Sequence, residues 1–240
     1  AQGANHLVIA CAIDISNQEI TLGRYKSGVN WAQWAVQELQ RRRTNEPLRR
    51  HAALALIAYG TILSGSEADL ANLAPVIGSM CIDWTRIGAP TYESVVSTIG
   101  DWHFASGNLT DAEDYYRGLL ERVPISQHAS AALDVVRVLV AQGRFMEARV
   151  LAEAARTLAT TSTQAERSLA DLALGIARAS SHETGAVQTL NAAISALSKT
   201  NYVVFEAQAY LWLAIAYLNL GRTDLAAQVL NKGSEGINGL

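Results

Sequence analysis

Residues 212–230, WLAIAYLNLGRTDLAAQVL, decide how the rest of the chain is read. Leu and Ala are among the strongest helix formers. Gly221 falls where a helix would end in a left-handed turn that a side chain penalises. Ala226 stands five residues on, where a returning helix needs a small side chain to approach the first closely. One such pair cannot cover its own apolar face, so it calls for neighbours of the same kind.

The chain supplies them. Residues 95–124 carry Gly107 with Ala112 five later, and residues 131–159 carry Gly143 with Ala148. A weaker copy at 168–197 has Ser181 in the turn with Ala186, and a still weaker one at 51–78 has Gly65 with Leu70. The turns at 65, 107, 143, 181 and 221 are 42, 36, 38 and 40 residues apart. Recurrence at that period, with two helices per unit, is the mark of an α-solenoid.

Composition agrees. Of 240 residues, 40 are Ala and only four are Pro, and half the chain is apolar, enough to bury a sizeable core. Strand-type runs are scarce, so the expected class is all-α. A net charge of −3 argues against a basic nucleic-acid binder. No apolar run reaches the roughly 18 residues of a spanning helix, so no membrane partner is expected. Cys11 and Cys81 sit in apolar helical contexts and read as buried free thiols, with a disulfide or redox switch as the alternative. The expected compartment is the cytoplasm. Because the chain opens on Ala1 rather than Met, a removed leader and a periplasmic or secreted setting stay open.

In the repeats, a small or apolar residue in mid first helix (Gly100, Val136, Leu174, Ala214) precedes a bulkier one in some copies (His103, Leu139, Tyr217). The turn follows, then the small residue, then Tyr116, Ala152, Leu190 or Leu230, and Leu119, Ala155, Ala193 or Gly233; Pro124 closes one copy. This pattern resembles the tetratricopeptide repeat (TPR) family, well over residues 90–236 and loosely over 47–82. Its long, Ala-rich units are similar to the regulatory solenoids of bacterial LuxR-type, large ATP-binding transcription regulators. The resemblance implies a right-handed α-solenoid of about six antiparallel helix pairs, with first helices lining the concave side. One domain, 1–240, is expected: a divergent first pair at 1–46, a weak repeat at 47–90 and four clearer repeats at 91–236.

Twelve helices are predicted, at 4–16, 24–43, 47–63, 66–81, 91–106, 110–122, 127–142, 145–159, 163–180, 183–198, 202–220 and 224–236. Residues 14–28 read as a longer connector with strand-like flavour, and Pro75 predicts a kink or break. Thr110 with Glu113 and Thr163 with Glu166 form capping boxes, and Ser66 and Ser126 are N-cap candidates.

The motifs that carry chemistry are missing: no phosphate loop, dinucleotide fingerprint, zinc-protease helix or Cys pair at zinc spacing. No catalytic residue, metal or cofactor is expected. Residues 101–104, DWHF, read as a packed Trp102 with His103 in the repeat's aromatic position, or as a ligand contact. Residues 41–50, RRRTNEPLRR, hold five Arg and read as a solvated turn or a contact to an adjoining domain, or as a phosphate or nucleic-acid patch, without the interleaved aromatics that base stacking needs. Residues 158–168 read as a loop and cap. Trp31 and Trp34, at i and i+3, read as packing or an end cap, and if exposed as a partner anchor.

Projecting the implied concave face gives Ser97, Asp101, Phe104, Arg137, Val140, Asp171, Arg178, Leu211, Ile215 and Asn219. Of these, Asp101, Phe104, Arg137, Asp171, Arg178 and Asn219 are the candidate ligand or partner contacts. The alternating charges could read an extended peptide or small polar effector, or neutralise one another. The expected role is a non-catalytic protein- or ligand-binding module, the sensor or interaction domain of a bacterial transcriptional or signalling regulator. The alternative is a scaffold or assembly adaptor. A protein or peptide partner, a small-molecule effector and a homodimer, end to end or side by side, are the expected associations, without direct nucleic-acid binding.

Overall fold

The computed structural model describes residues 2–43, 46–65, 67–80 and 89–238, and every regular element in them is helical. The elements are α1 (Gln2–Thr21), α2 (Tyr25–Arg41), α3 (Pro47–Ser64), α4 (Glu67–Asn72), α5 (Ala74–Met80), α6 (Ala89–Ala105) and α7 (Leu109–Leu120), followed by α8 (His128–Ala141), α9 (Phe145–Leu158), α10 (Gln164–Ser180), α11 (Ala186–Leu197), α12 (Val203–Asn219) and α13 (Thr223–Asn238). The chain forms two compact units, residues 1–115 and 116–240.

In the first unit, α1 packs on α2, α2 on α3, and α3 on both α1 and α6. Small residues at the crossings make this closeness possible: Ala32, Ala35, Ala53 and Ala58 are completely buried. Around them Leu54, Leu73, Ile77, Met80, Val95 and Ile99 form one apolar cluster, and Ile9, Leu39 and neighbouring Ala residues form another.

In the second unit, α10 is the central element. It packs on α8, α9, α11 and α12, and Ser168 through Ala177 are buried except Asp171. A helix surrounded on most sides must be apolar nearly all round, which is what LADLALGIA supplies. Ala148, Ala152, Ala186 and Ala226 are buried where returning helices meet their partners.

The helix-pair turns recur with one hydrogen-bond pattern. The N–H groups of Arg24, Asn108, Arg144, Glu183 and Arg222 donate to carbonyls five residues back, at 2.8–2.9 Å. The residue before each is left-handed: Gly23, Gly107, Gly143, His182 and Gly221. These are Schellman ends. With Gly65, also left-handed, the turns lie at 23, 65, 107, 143, 182 and 221.

Several expectations are corrected. Residues 14–21 are helix, and the connector shrinks to a tight turn at Leu22–Arg24; burial of Ser16 and Ile20 against α2 overrides the strand-like propensity. Residue Gly28, five after Gly23, is the small residue of this first pair, with a hypothetical Cβ 2.5 Å from Ile20 Cγ1. The turn expected at Ser181 is centred on His182. The predicted helix 66–81 is split at Leu73, where the break foreseen from Pro75 places that proline in the first turn of α5. Thr110 lies inside α7 rather than capping it, and a short 3-10 turn at Ile125–Gln127 displaces Ser126 from the start of α8. Cys11 is exposed, not buried. Ser66 and Cys81 lie outside the described residues. Thr163 does cap α10, accepting from the Glu166 N–H at 3.2 Å.

Candidate functional site

In the first unit, three alternate helices, α1, α3 and α6, present one face to a common groove of about 470 Å³. The central helix α3 makes the floor with Ala52, Ala55, Leu56 and Tyr59, at the spacing of one helical face. Alanines there, between longer side chains on either side, create the depression. One wall is Ile13, Asp14 and Asn17 of α1; the other is Ser94, Ser97 and Thr98 of α6.

The polar groups differ in availability. The Thr98 hydroxyl donates to the Ser94 carbonyl at 2.7 Å, within its own helix. Asp14 and Asn17 are exposed on the opposite wall. A carboxylate that only accepts, an amide that donates and accepts, and serine hydroxyls that do both can pair with a peptide backbone or a small polar molecule. Among the described residues the lining holds no imidazole, amine or thiol. Among the described residues no cluster of His, Cys, Asp and Glu could hold a metal ion.

The sequence-derived site residues fall partly on this face. Ser97 lines the groove; Asp101 and Phe104 continue its stripe along α6, four and then three residues on, Asp101 being buried at 8% exposure. The others belong to the second unit and are engaged there. Arg137 donates to Asp134 on its own helix at 3.1 Å. Asp171 accepts from Arg156 of α9 at 2.9 Å. Arg178 donates to the Thr189 hydroxyl at 2.8 Å. Asn219 donates its side-chain N–H to the Ala179 carbonyl at 2.7 Å, tying α12 to the end of α10. Arg137, Asp171 and Arg178 are thus engaged inside the unit by residues outside the alternating series, Arg137 on its own helix, and not by one another.

Trp31 and Trp34 are 41% and 37% exposed, edge-to-face with centroids 6.4 Å apart. Trp102 instead packs inward, its indole N–H donating to the Leu70 carbonyl at 3.1 Å, while His103 stacks on Tyr115 at 5.2 Å. Sequence reasoning missed Asp14, Asn17, Leu56 and Tyr59. The signal was the turn glycine Gly23, which makes α1 a regular first helix and so brings its face into the same row.

No family model matches the chain, and no curated protein matches it. Among solved structures, that of a Rap protein complexed with Competence and Sporulation Factor superposes with a TM-score of 0.62 at 13% identity, covering 96% of this chain. The fold is an all-α, TPR-like helical repeat. The chain spans 66% of the length of that Rap protein. BtubC (BKLC) from P. vanneervenii gives a TM-score of 0.55 at 15% identity, over 88% of this chain and 90% of its own. No helix among the described residues is long and apolar enough to cross a membrane.

Proposed function

We propose that this TPR-like repeat is a non-catalytic binding module whose first-helix groove takes an extended segment of a partner protein or peptide. The observation that carries the reading is the groove itself: three first helices in register, small residues on the floor, and hydrogen-bonding side chains on both walls. The walls offer donors and acceptors of the kind that pair with peptide N–H and C=O groups, and Asp14 favours a segment that brings positive charge. That a similarly folded Rap protein forms a complex with Competence and Sporulation Factor supports a binding role.

In the wider reading, the module is the sensor or interaction domain of a bacterial transcriptional or signalling regulator. Occupancy of the groove would favour one packing of neighbouring helix pairs over another, and the differential affinity sets how far the equilibrium moves.

Selection of peptides from a displayed random library tests the groove. Selected peptides should bind the native chain and lose at least tenfold affinity to Asn17→Ala and Ser97→Arg. Peptides that bind both variants as well as the native chain would place the interaction elsewhere.

One observation favours a second reading, an assembly adaptor. The exposed Trp31–Trp34 pair has the composition of an interface anchor. Under that reading Trp31→Ser with Trp34→Ser abolishes partner capture while Asn17→Ala leaves it intact.

A further inference from the structure

We infer that the joint between α2 and α3 is a binding site for a phosphoryl group carried on a small molecule. A cavity of about 500 Å³ there is lined by Gln40, Arg43, Arg50 and His51, and by one carboxylate, Glu46, whose charge Arg49 meets. The five Arg of residues 41–50 are not equivalent. Arg41 and Arg42 converge on the Glu38 carboxylate, and Arg49 pairs with Glu46. Arg43 and Arg50 find no carboxylate among the described residues, and both are exposed at the cavity. Two uncompensated guanidinium groups thus share one concavity in a chain whose net charge is −3.

A second observation is independent of the cavity. Arg43 has φ of 51°, in the left-handed region. At five helix-pair turns that conformation is given to glycine, at 23, 65, 107, 143 and 221. A long charged side chain in such a seat is disfavoured by the backbone, and residues held against local preference concentrate at functional sites.

The donor set selects the ligand. A carboxylate carries one negative charge and would leave one of the two guanidinium charges unbalanced; a phosphoryl dianion balances both, and its three terminal oxygens can use two forks and the Gln40 amide. His51 Nδ1 donates to the Pro47 carbonyl at 2.6 Å, so its Nε2 accepts in the neutral ring and donates to a phosphoryl oxygen only in the protonated one. Nucleic acid is the poorer fit: a backbone track neutralises about six to ten phosphates, and two free cations do not make one. The cavity exceeds a phosphoryl group, leaving space for whatever carries it.

Isothermal titration calorimetry of the full chain at fixed ionic strength, set with chloride, tests this with three probes: inorganic phosphate, O-phosphoserine and serine. Saturable binding of O-phosphoserine and not serine is expected. Phosphate binding equally well identifies a free-phosphate site of the same chemistry; weaker binding identifies an ester site. Arg50→Gln and Arg43→Gly should each weaken binding at least tenfold, and Arg222→Gln, on α12–α13, should leave it unchanged. Arg43→Gly removes the guanidinium while suiting the backbone, so loss of binding in it is not loss of fold. Absence of saturable heat with both phosphorylated probes, or binding indifferent to both substitutions, overturns the inference. Asn17→Ala and Ser97→Arg should not affect it, which separates this site from the groove.

Discussion

Glu166 of α10 accepts a hydrogen bond from the backbone N–H of Ala129 at 3.1 Å, across 37 residues of sequence. Ala129 is in the first turn of α8, where N–H groups have no partner within their own helix. One helix therefore caps the next but one. Thr163 caps α10 itself, but Glu166, which a capping box would turn back to Thr163, reaches instead to its neighbour. The carboxylate couples two helix pairs of the second unit at their ends, as α10 packing couples them in the middle.

Removing that cap should destabilise the chain. Glu166→Ala is expected to cost about 0.5–2 kcal/mol, the range for loss of a helix cap, read as a shift of the urea midpoint. The pH dependence has a definite sign. Burial raises the Glu166 carboxyl above its ordinary value of 4.5, opposed by the N–H groups of Ser130 and Ala129. The folded state then holds the proton more tightly than the unfolded chain, so this residue's contribution becomes more favourable as pH falls through the raised value toward 4.5. The native chain should gain on Glu166→Gln over that window. A constant gap between the two would show that burial does not dominate.

Close helix approach makes a paired prediction about two glycines. A Cβ at Gly175 of α10 would lie 2.6 Å from Leu190 Cδ2 and 2.7 Å from its Cγ on α11. Overpacking at Gly175→Ala should cost about 1–3 kcal/mol against a helix-propensity gain of about 1 kcal/mol, for a net destabilisation of up to about 2 kcal/mol. At Gly118 of α7 a Cβ meets nothing within 4 Å. Gly118→Ala should stabilise by about 0.5–1 kcal/mol. Thermal denaturation of the two variants should move in opposite directions.

What the sequence made legible follows from the same physics. Helix pairing could be read because Gly107, Gly143 and Gly221 sit in seats that reject side chains, and Ala112, Ala148 and Ala226 sit where helices touch. The turn expected at Ser181 was misplaced by one residue because His182 occupies its left-handed seat without being glycine. The first pair was misread because its close-approach residue, Gly28, is smaller than the expected alanine. The groove escaped for a related reason. With α1 taken to end near residue 16 and the first pair set aside as divergent, Asp14 and Asn17 had no place in a row of first helices. Nor does sequence show that Arg137, Asp171 and Arg178 turn to partners in their own unit, since each partner is fixed by side-chain direction in the fold.

At the end of α2, a hydrogen bond from the Arg41 guanidinium, above all, and then Arg42, hold the Glu38 carboxyl down at about 2. A depressed carboxyl stabilises the fold above its ordinary value, and that contribution is lost as pH falls from about 4.5 to about 2. Glu38→Gln should be less stable than the native chain at pH 7, and the two should converge as acid is added through that window. Urea denaturation at a series of pH values reads this directly; a gap that persists at the acid end would mean the ion pairs are not its source. High salt should narrow the gap at pH 7, because the Arg41 side chain is 70% exposed.

Arg43 offers the sharpest contrast between stability and binding. A non-glycine residue in the left-handed region is disfavoured by roughly 1–2 kcal/mol, while glycine adds about 0.4–1 kcal/mol of unfolded-chain entropy. The first effect exceeds the second, so Arg43→Gly should stabilise the chain by roughly 0.5–1 kcal/mol, the difference between those ranges. Relief of repulsion from Arg41, Arg42 and Arg50 adds in the same direction, most at low ionic strength. His182→Gly, in the other non-glycine left-handed seat among the described residues, should gain by the backbone term alone and show no such salt dependence. Urea midpoints at two ionic strengths separate the two contributions. A stabilised Arg43→Gly that no longer binds a phosphorylated ligand would show that the chain keeps this arginine for what it holds; a destabilised one would show that the side chain is needed for folding.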